Sequence, residues 1–467
     1  MGTLTTLLNL SQNALLASQA AIDITSNNVA NANTPGYTDE VATWQENDSV
    51  RLGPTSVAGE GASVSAVSQR DLVLNQRVQQ QTQLVSASSA ESAALTSLQA
   101  IFGITSSSTS AVATTLGTDI NALFSSFDAL EASPSEASVR QGVLSAAQTL
   151  ASDFNSASSQ IAQQTSALNQ QVSGVVTEVN SLTSSIAALN LQIESISPTA
   201  DAGTLEDQRQ QDLTQLSQYI GFDQTKTENN GLTLTTANGA LLVSEGQSFA
   251  LGTAQVDGNV NVISAAGQDI TSTLTGGSLG GILQARDRDL PQVSSALSSL
   301  TDAIVDAVNN QNEQGLNAYG GAGGPIFGFY ESGNNSGVTL GVCTTDPNAI
   351  AAAGVGEGSS GDTNATALSG LANAVLVNGQ TAAGYYDSFL TQLGSTAAQV
   401  ADENTTQQAS LTQLTTQQGA ESSVSLDQEA SNMTLYERSY DAAAKVFTIV
   451  DELMASALNL GEETTVS

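Results

Sequence analysis

Ile161, Thr165, Leu168, Val172, Val175, Val179, Leu182, Ile186, Leu189, Ile193 and Ile196 alternate in steps of four and three until Pro198. Five consecutive heptads hold one apolar seam on a helix, a spacing that chance does not sustain. At about 1.5 Å per residue such a helix reaches roughly 50 Å or more. It dictates a rod-like domain, and the rest of the chain must be arranged along it.

The two ends carry weaker stripes. Leu4, Leu8, Ser11, Leu15, Ser18, Ile22, Thr25 and Val29 also step by four and three, but this seam is narrow and half polar. Asn27, Asn28, Asn31 and Asn33 crowd its end. The helix must then stop at Thr34-Pro35-Gly36-Tyr37, where Pro35 fixes one φ angle and Gly36 tolerates positive φ. At the other end Leu426, Met433, Tyr436, Tyr440, Ala443, Phe447, Val450, Met454 and Ala457 step by three, four or seven, and Leu453 and Leu460 widen the stripe. A helix of about 25 residues with Ser and Thr at alternate core positions is not stable alone. Each end needs a covering surface, and the other end is the natural candidate. An intramolecular coiled coil is the commoner meaning of such stripes. The weak seam and its place at both chain ends instead fit segments that order when neighbouring subunits supply the missing surface.

Aromatic residues make up 4% and charged residues 12% of the 467 positions, so helices must pack closely through small side chains. The formal charge is −35 with ten basic residues, which argues against nucleic acid and anionic membranes and reads as a solvated acidic surface. No stretch of about 18 apolar residues and no cleavable secretory signal is visible, so no membrane insertion is expected. The single Cys343 allows no intramolecular disulfide, and in a Val-rich strand it reads as a small buried hydrophobe.

The chain contains no His, which removes Ser-His-Asp and Cys-His catalysis and HExxH zinc sites. Gly276-Gly277-Ser278-Leu279-Gly280 fits the GxSxG pattern, but without a general base it reads as a flexible turn into a helix. The glycines from Gly320 to Gly328 lack the Lys-Ser/Thr of a phosphate loop. Acidic residues are scattered without a DxDxDG loop. Glu206-Asp207, Asp287 and Asp289 stand beside Arg209, Arg286 and Arg288 and read as surface ion pairs. Catalytic, cofactor and metal residues are therefore absent from the reading, and the chain is not expected to be an enzyme.

After Tyr37 come short strands or extended arms with Trp44 as the one large anchor. Helical patterns run from Ser68 toward Phe102-Gly103, from Leu116 to Leu130, through the heptads, and through a segment closing at Gly221. From Phe222 to Thr275 the period becomes two, with hairpin turns at Asn238-Gly239 and Asp257-Gly258. Helix returns from Leu279 to about Gly315, followed by a strand at Val338 to Cys343, a short helix opened by Asp346-Pro347, and a helix from Tyr385 to Gln418. The predicted fold is mainly α: an elongated, nested, multi-domain protein with terminal coiled-coil helices, a long-helix bundle and a small β-rich insertion. Residues 1–38 and 425–467 form the terminal helical domain, 39–221 and 277–424 the rod-like domain with short β arms, and 222–276 an outer β-rich insertion. Nesting predicts both termini at one end and the insertion at the other.

With SNNVANANTPGYT near its start and SLDQEASNMTLYERSYDAAAKVFTIVDELMASALNL near its end, the chain resembles the axial family of the bacterial flagellum, its rod, hook and hook-associated proteins. Three internal segments, GTLEDQRQQDLTQLSQYIGF, GGSLGGILQARDRDLPQVSSALSSLTDAIVDAVNNQNEQGLNAYGGAGGPIF and DPNAIAAAG with GDTNATALSGL, resemble in order the hook-associated branch that joins hook to filament. Two departures stand out: Thr38-Asp39 where the family often has Ser-Arg, and a short span from Phe327 to Thr344 where many members carry a further β domain. The resemblance implies an extracellular structural protein exported through the flagellar type III channel without a cleaved signal. It implies a homo-oligomeric ring or helical layer, with the hook protein, hook-associated protein 3 and an export chaperone on the C-terminal helix as partners, and no cofactor. The assembly interface it implies comprises Leu4, Leu8, Leu15, Ile22, Asn28, Val29, Asn31, Pro35, Gly36 and Tyr37 with Leu426, Met433, Tyr436, Tyr440, Phe447, Val450, Leu453, Met454 and Leu460. Two alternatives stand beside it: a hook or distal rod protein, whose middle would be mostly β, and a secreted coiled-coil adhesin, whose termini would be stably helical in the monomer.

Overall fold

The computed structural model describes residues 2–34, 36–47, 50–51, 57–58, 61–104, 115–197, 202–331, 338–358 and 360–463. Helix α1 (Gly2–Asn31) leads into an antiparallel ribbon of β1 (Glu40–Glu46) with β4 (Ala62–Ser68), prolonged by β2 (Val50–Arg51) with β3 (Val57–Ala58). Helices α2 (Leu72–Ile101), α3 (Thr115–Ala132), α4 (Ala137–Ile196) and α5 (Gly203–Tyr219) follow. Strands β5 (Asp223–Lys226), β6 (Leu232–Thr235), β7 (Leu241–Ser244) and β8 (Gln247–Ser248) form an antiparallel sheet in that order, and β9 (Gly252–Val256) pairs with β10 (Asn259–Ile263). Helix α6 (Gly277–Gln284) runs through a π-helical turn at Ala285–Asp289 into α7 (Leu290–Gln314). The ribbon of β11 (Phe327–Glu331) with β12 (Val338–Val342), then α8 (Thr363–Gly370), α9 (Ala382–Ser422) and α10 (Leu426–Glu463) complete the chain. The mainly α, elongated fold is as the sequence predicts.

The spine is α4, 60 residues and so about 90 Å long. It begins well before the heptads. Ile161, Leu168, Val172, Val179, Ile186, Leu189 and Ile193 are buried as the spacing predicts, but Val176 and Thr183 take the places expected for Val175 and Leu182. A straight helix drifts about 20° per heptad from a 3.5-residue repeat. Because α4 packs in turn on α3, the β strands and α5 instead of supercoiling with one partner, its seam follows that drift. Buried side chains of α2, α3, α4, α6, α7, α9 and the strands form one continuous apolar core.

Along α4, asparagines clip the β elements to the spine. Asn155 donates to Leu340 O (2.8 Å) and accepts from Leu340 N (2.9 Å). Asn180 does the same with Leu251, at 2.8 Å in both directions. Asn169 donates to Gly258 O (3.2 Å) and accepts from Val260 N (2.9 Å), and Asn190 donates to Leu232 O (2.8 Å) and Glu245 O (2.9 Å). Asn155, Asn169 and Asn180 supply both the donor and the acceptor a neighbouring strand would supply and Asn190 supplies two donors, so backbone groups facing a helix are not left unpaired.

These clips fix where the β elements sit. Asn169 to Asn190 hold β5–β10 on the half of α4 that leads into α5, and α5 also carries the joint to the terminal helices described below. The β-rich unit therefore does not lie at the end opposite the termini. The reason is that α5 folds back along α4, as the 2.6 Å bond from Ser185 Oγ to Asp212 Oδ2 shows, and delivers the chain to β5 midway along the spine. The far end is built by α3, α8 and the β11–β12 ribbon, whose first strand the sequence reading missed.

Two further expectations are corrected. Cys343 is exposed, not buried, because it leaves β12 on the ribbon's outer face beside Tyr330. The Gly276–Gly281 run is a close crossing, not a flexible turn: Gly277 has φ +69°, and a Cβ at Gly281 would sit 2.0 Å from Ala87 O of α2. Asp257-Gly258, both at positive φ (50° and 83°), turns the β9–β10 hairpin, and Asn238-Gly239, with Gly239 at φ +83°, turns the β6–β7 hairpin, as their sequences announce.

Candidate assembly interface

Helices α1 and α10 pack along one another. Asn28 near the end of α1 meets Glu429 in the first turn of α10, so the pair is antiparallel. The seam closes on small residues: Ser11, Ala17, Ser18, Ala21, Thr25 and Asn28 of α1 are buried. Their polarity is absorbed locally, since Ser11 Oγ donates to Leu7 O (2.8 Å) and Ser18 Oγ to Ala14 O (2.9 Å). Leu4, Leu8, Leu15 and Ile22 flank the seam half-buried, as do Met433, Tyr436, Phe447 and Met454 of α10, while Val450 is buried. Val29, Leu426, Tyr440 and Leu453 point outward and are exposed. Asn31 and Tyr37 are half-buried and Gly36, at φ +80°, makes the turn; Pro35 and the side chain of Leu460 lie outside the described residues. Trp44, expected as an anchor, is 46% exposed and its ring lies 6.3 Å from that of Tyr436.

At the root of the pair, polar side chains tie three segments together. Asn28 Nδ2 donates to Glu40 O (2.8 Å) and Glu429 Oε2 (3.2 Å), and its Oδ1 accepts from Tyr37 Oη (2.8 Å) and Glu40 N (3.1 Å). Thr38 donates from N (3.1 Å) and Oγ1 (2.7 Å) to Asp207 of α5, and Arg70 pairs with Glu206 and with Asp207 (2.6 Å). Asp39 N donates to Ser422 O (3.0 Å) at the end of α9. Burial, then Glu40, pushes the Tyr37 hydroxyl above its ordinary range, so it stays a donor. Burial, then Glu429, raises the Asp39 carboxyl.

Of the groups expected in surface ion pairs, Asp287 and Arg288 are exposed, whereas Glu206, Asp207, Arg209, Arg286 and Asp289 are interior. Glu206 and Asp207 pair with Arg70, all nearly buried, while Arg209 donates to Asn190 Oδ1 (2.9 Å) and Asn230 O (2.7 Å), its pKa pushed down to about 10 by burial. Arg286 is 1% exposed and donates to Asn169 Oδ1 (2.9 Å). Burial of so many charges in a chain poor in charge makes these contacts structural determinants. Thr38, Arg70, Asp207 and Glu429 were missed as joint residues; Glu429 shares a heptad phase with Met433 and Tyr436, and a charge at a seam position was the readable signal.

Beyond its seam, α10 carries a second apolar stripe. Leu435 (59% exposed), Val446 (48%), Ile449 (56%) and Leu453 (52%) lie about 100° round the helix from it and stand open to solvent. Leu7 and Leu16 of α1 are similarly open. Large apolar side chains left open along one side of a helix mark an interaction face.

A helical pair made of the two chain ends, rooted in a charged joint and carrying an open apolar stripe, defines an axial assembly protein. The family models agree segment by segment: residues 8–38 match the flagella basal body rod protein, 417–460 the flagellar basal body rod FlgEFG protein C-terminal, and 103–327 the flagellar hook-associated protein FlgK helical domain. These matches support identification of the chain with flagellar hook-associated protein 1. It is 26% identical to flagellar hook-associated protein 1 of Bacillus subtilis over 97% of both chains. It is 27% identical to those of Escherichia coli, over 75% of this chain and 66% of that one, and of Salmonella typhimurium, over 72% and 63%. The chain thus spans about two thirds of those two relatives. Its fold matches the flagellar hook junction protein FlgK from Burkholderia pseudomallei with a TM-score of 0.65 at 20% identity, over 75% of this chain and all of that one.

Proposed function

We propose that this chain is a structural subunit of the bacterial flagellum that self-assembles through its terminal helices at the junction between hook and filament. The observation that carries the reading is the second apolar stripe of α10, Leu435 to Leu453, left open after α1 has covered the first. Burial of that stripe against equivalent helices of neighbouring subunits would build an inner tube; at about 25 cal/mol per Å² such contacts dominate association. Residues 1–38 and 425–467 serve as the assembly domain, the α4 body as the next shell, and β5–β10 as an outward-facing unit. The mechanical role is adaptation between hook below and filament above. The partners are further copies, the hook protein, hook-associated protein 3 and an export chaperone that shields α10, and the site of action is extracellular, reached through the flagellar export channel. No catalytic step is assigned, in keeping with the structural family.

The test is addition of purified protein to isolated hooks, read by electron microscopy. Wild type is expected to add a layer at the hook tip, and Ile449→Asp with Leu453→Asp, at unchanged helix content, to add none. Equal addition by both would overturn the reading.

A further inference from the structure

A cleft of about 400 Å³ opens between α2, α7 and α9 at the π-helical turn that joins α6 to α7. Such turns interrupt the regular ladder and re-aim side chains. Here the turn ends at Asp289, which is 4% exposed and forms part of the cleft wall. Its Oδ1 accepts from Arg288 Nε (2.8 Å), while Oδ2 has no hydrogen-bond partner among the described residues. Arg288 also pairs with Glu91 (2.7 Å). One cation thus stands against two carboxylates, leaving one negative charge uncompensated beside the cleft. A buried carboxylate oxygen without a partner is costly, and a cation held close to the carboxylate offsets that cost.

The rest of the wall suits such a donor. Tyr385 and Phe389 of α9 present aromatic surface, and Phe389 is fixed by an edge-on contact with Phe102 (5.0 Å). The amide nitrogens of Gln380 and Gln392 are turned to Ser388 Oγ (3.1 Å) and Thr396 Oγ1 (3.4 Å), which leaves their oxygens as acceptors on the rim. Aromatic faces, amide oxygens and one carboxylate select a planar or compact cation over an anion or a neutral group.

We propose that this cleft binds a guanidinium or alkylammonium group, held by the negative charge of Asp289 in its wall, with its apolar stem against Tyr385 and Phe389. The group is either carried on a side chain of a neighbouring copy or belongs to a small free cation.

N-acetyl-L-argininamide, a monocation shaped like an arginine within a protein, is the probe, with N-acetyl-L-glutaminamide as its neutral counterpart. Titration of the full chain by calorimetry and ligand-observed NMR is expected to show saturable binding of the first and none of the second. Asp289→Asn should weaken binding at least tenfold. Ser299→Phe, which closes the cleft from its rim without touching the charges, should do the same in a fold that keeps every ion pair. Equal binding to wild type and Ser299→Phe, or equal binding of the neutral analogue, overturns the site. Self-association measured by sedimentation then distinguishes the sources: suppression by saturating probe places the cation on a neighbouring copy, and unchanged association with retained binding places it on a free molecule.

Discussion

Asn28 and Glu429, 401 residues apart in sequence, meet through a buried hydrogen bond of 3.2 Å. The amide simultaneously satisfies Glu40 and Tyr37, so one side chain fixes the end of α1, the start of β1 and the start of α10. Replacing it with Ala strands buried groups on all three, a cost of about 1–3 kcal/mol. Asn28→Ala is expected to speed hydrogen exchange in the last turns of α1 and the first of α10, with the α4 body unchanged. Uniform loss of protection would show that the joint is not local.

The asparagine clips act independently of that joint. Asn180→Ala removes both bonds to Leu251 and should cost about 1–3 kcal/mol in denaturant unfolding, and Asn180→Asp, which sets a carboxylate oxygen against the Leu251 carbonyl, should cost at least as much. If Asn180→Asp matched wild type, the donor half of the clip would carry nothing.

Two glycines separate close packing from flexibility. A Cβ at Gly281 meets the backbone oxygen of Ala87 at 2.0 Å, whereas one at Gly142 on α4 meets nothing within 4 Å. Gly281→Ala should destabilise by about 1–3 kcal/mol as α2 and α6 are forced apart. Gly142→Ala should stabilise by about 0.5–1 kcal/mol through helix propensity alone. Thermal melts of the two variants, moving in opposite directions, check both.

Asp119 of α3 and Asp153 of α4 face each other, and burial together with the Asp153 carboxyl raises the Asp119 pKa to about 6. The folded protein therefore binds a proton there that the unfolded chain has released between about pH 4 and 6, so this pair's contribution to stability falls as pH rises through that window. Asp119→Asn should raise the melting temperature at pH 7 by about 1–3 °C and flatten the pH dependence between 4 and 6. A variant less stable than wild type at pH 7 would contradict the assignment.

How much of this could be read from residues alone follows from what periodicity reports. The Ile161–Ile196 steps gave the spine, and the Leu4–Val29 and Leu426–Met454 steps gave the terminal pair, because apolar spacing is a direct record of a covered face. It does not record what does the covering. Hence Val175 was preferred to Val176, and the β-rich unit was sent to the wrong end: the fold-back of α5 at Ser185 and Asp212 leaves no periodic trace. Charge is equally mute about burial. Arg286 and Asp289 look the same in sequence whether solvated or 1% and 4% exposed, and Asn155, Asn169, Asn180 and Asn190 are indistinguishable from the solvent-facing amides around them. Of the candidate interface, the seam residues and Asn28 and Tyr37 were legible. Arg70 and Asp207 were not, because their pairing spans 137 positions.

The most direct measurement is hydrogen exchange along α10 in the isolated protein and in the assembled layer. Amides around Leu435 to Leu453 are expected to exchange readily in the monomer and to gain at least a hundredfold protection on assembly, while the α4 core stays the same in both. Full protection already present in the monomer and unchanged on assembly would show that the open stripe is not an assembly face, and would return the terminal helices to an ordinary intramolecular pair.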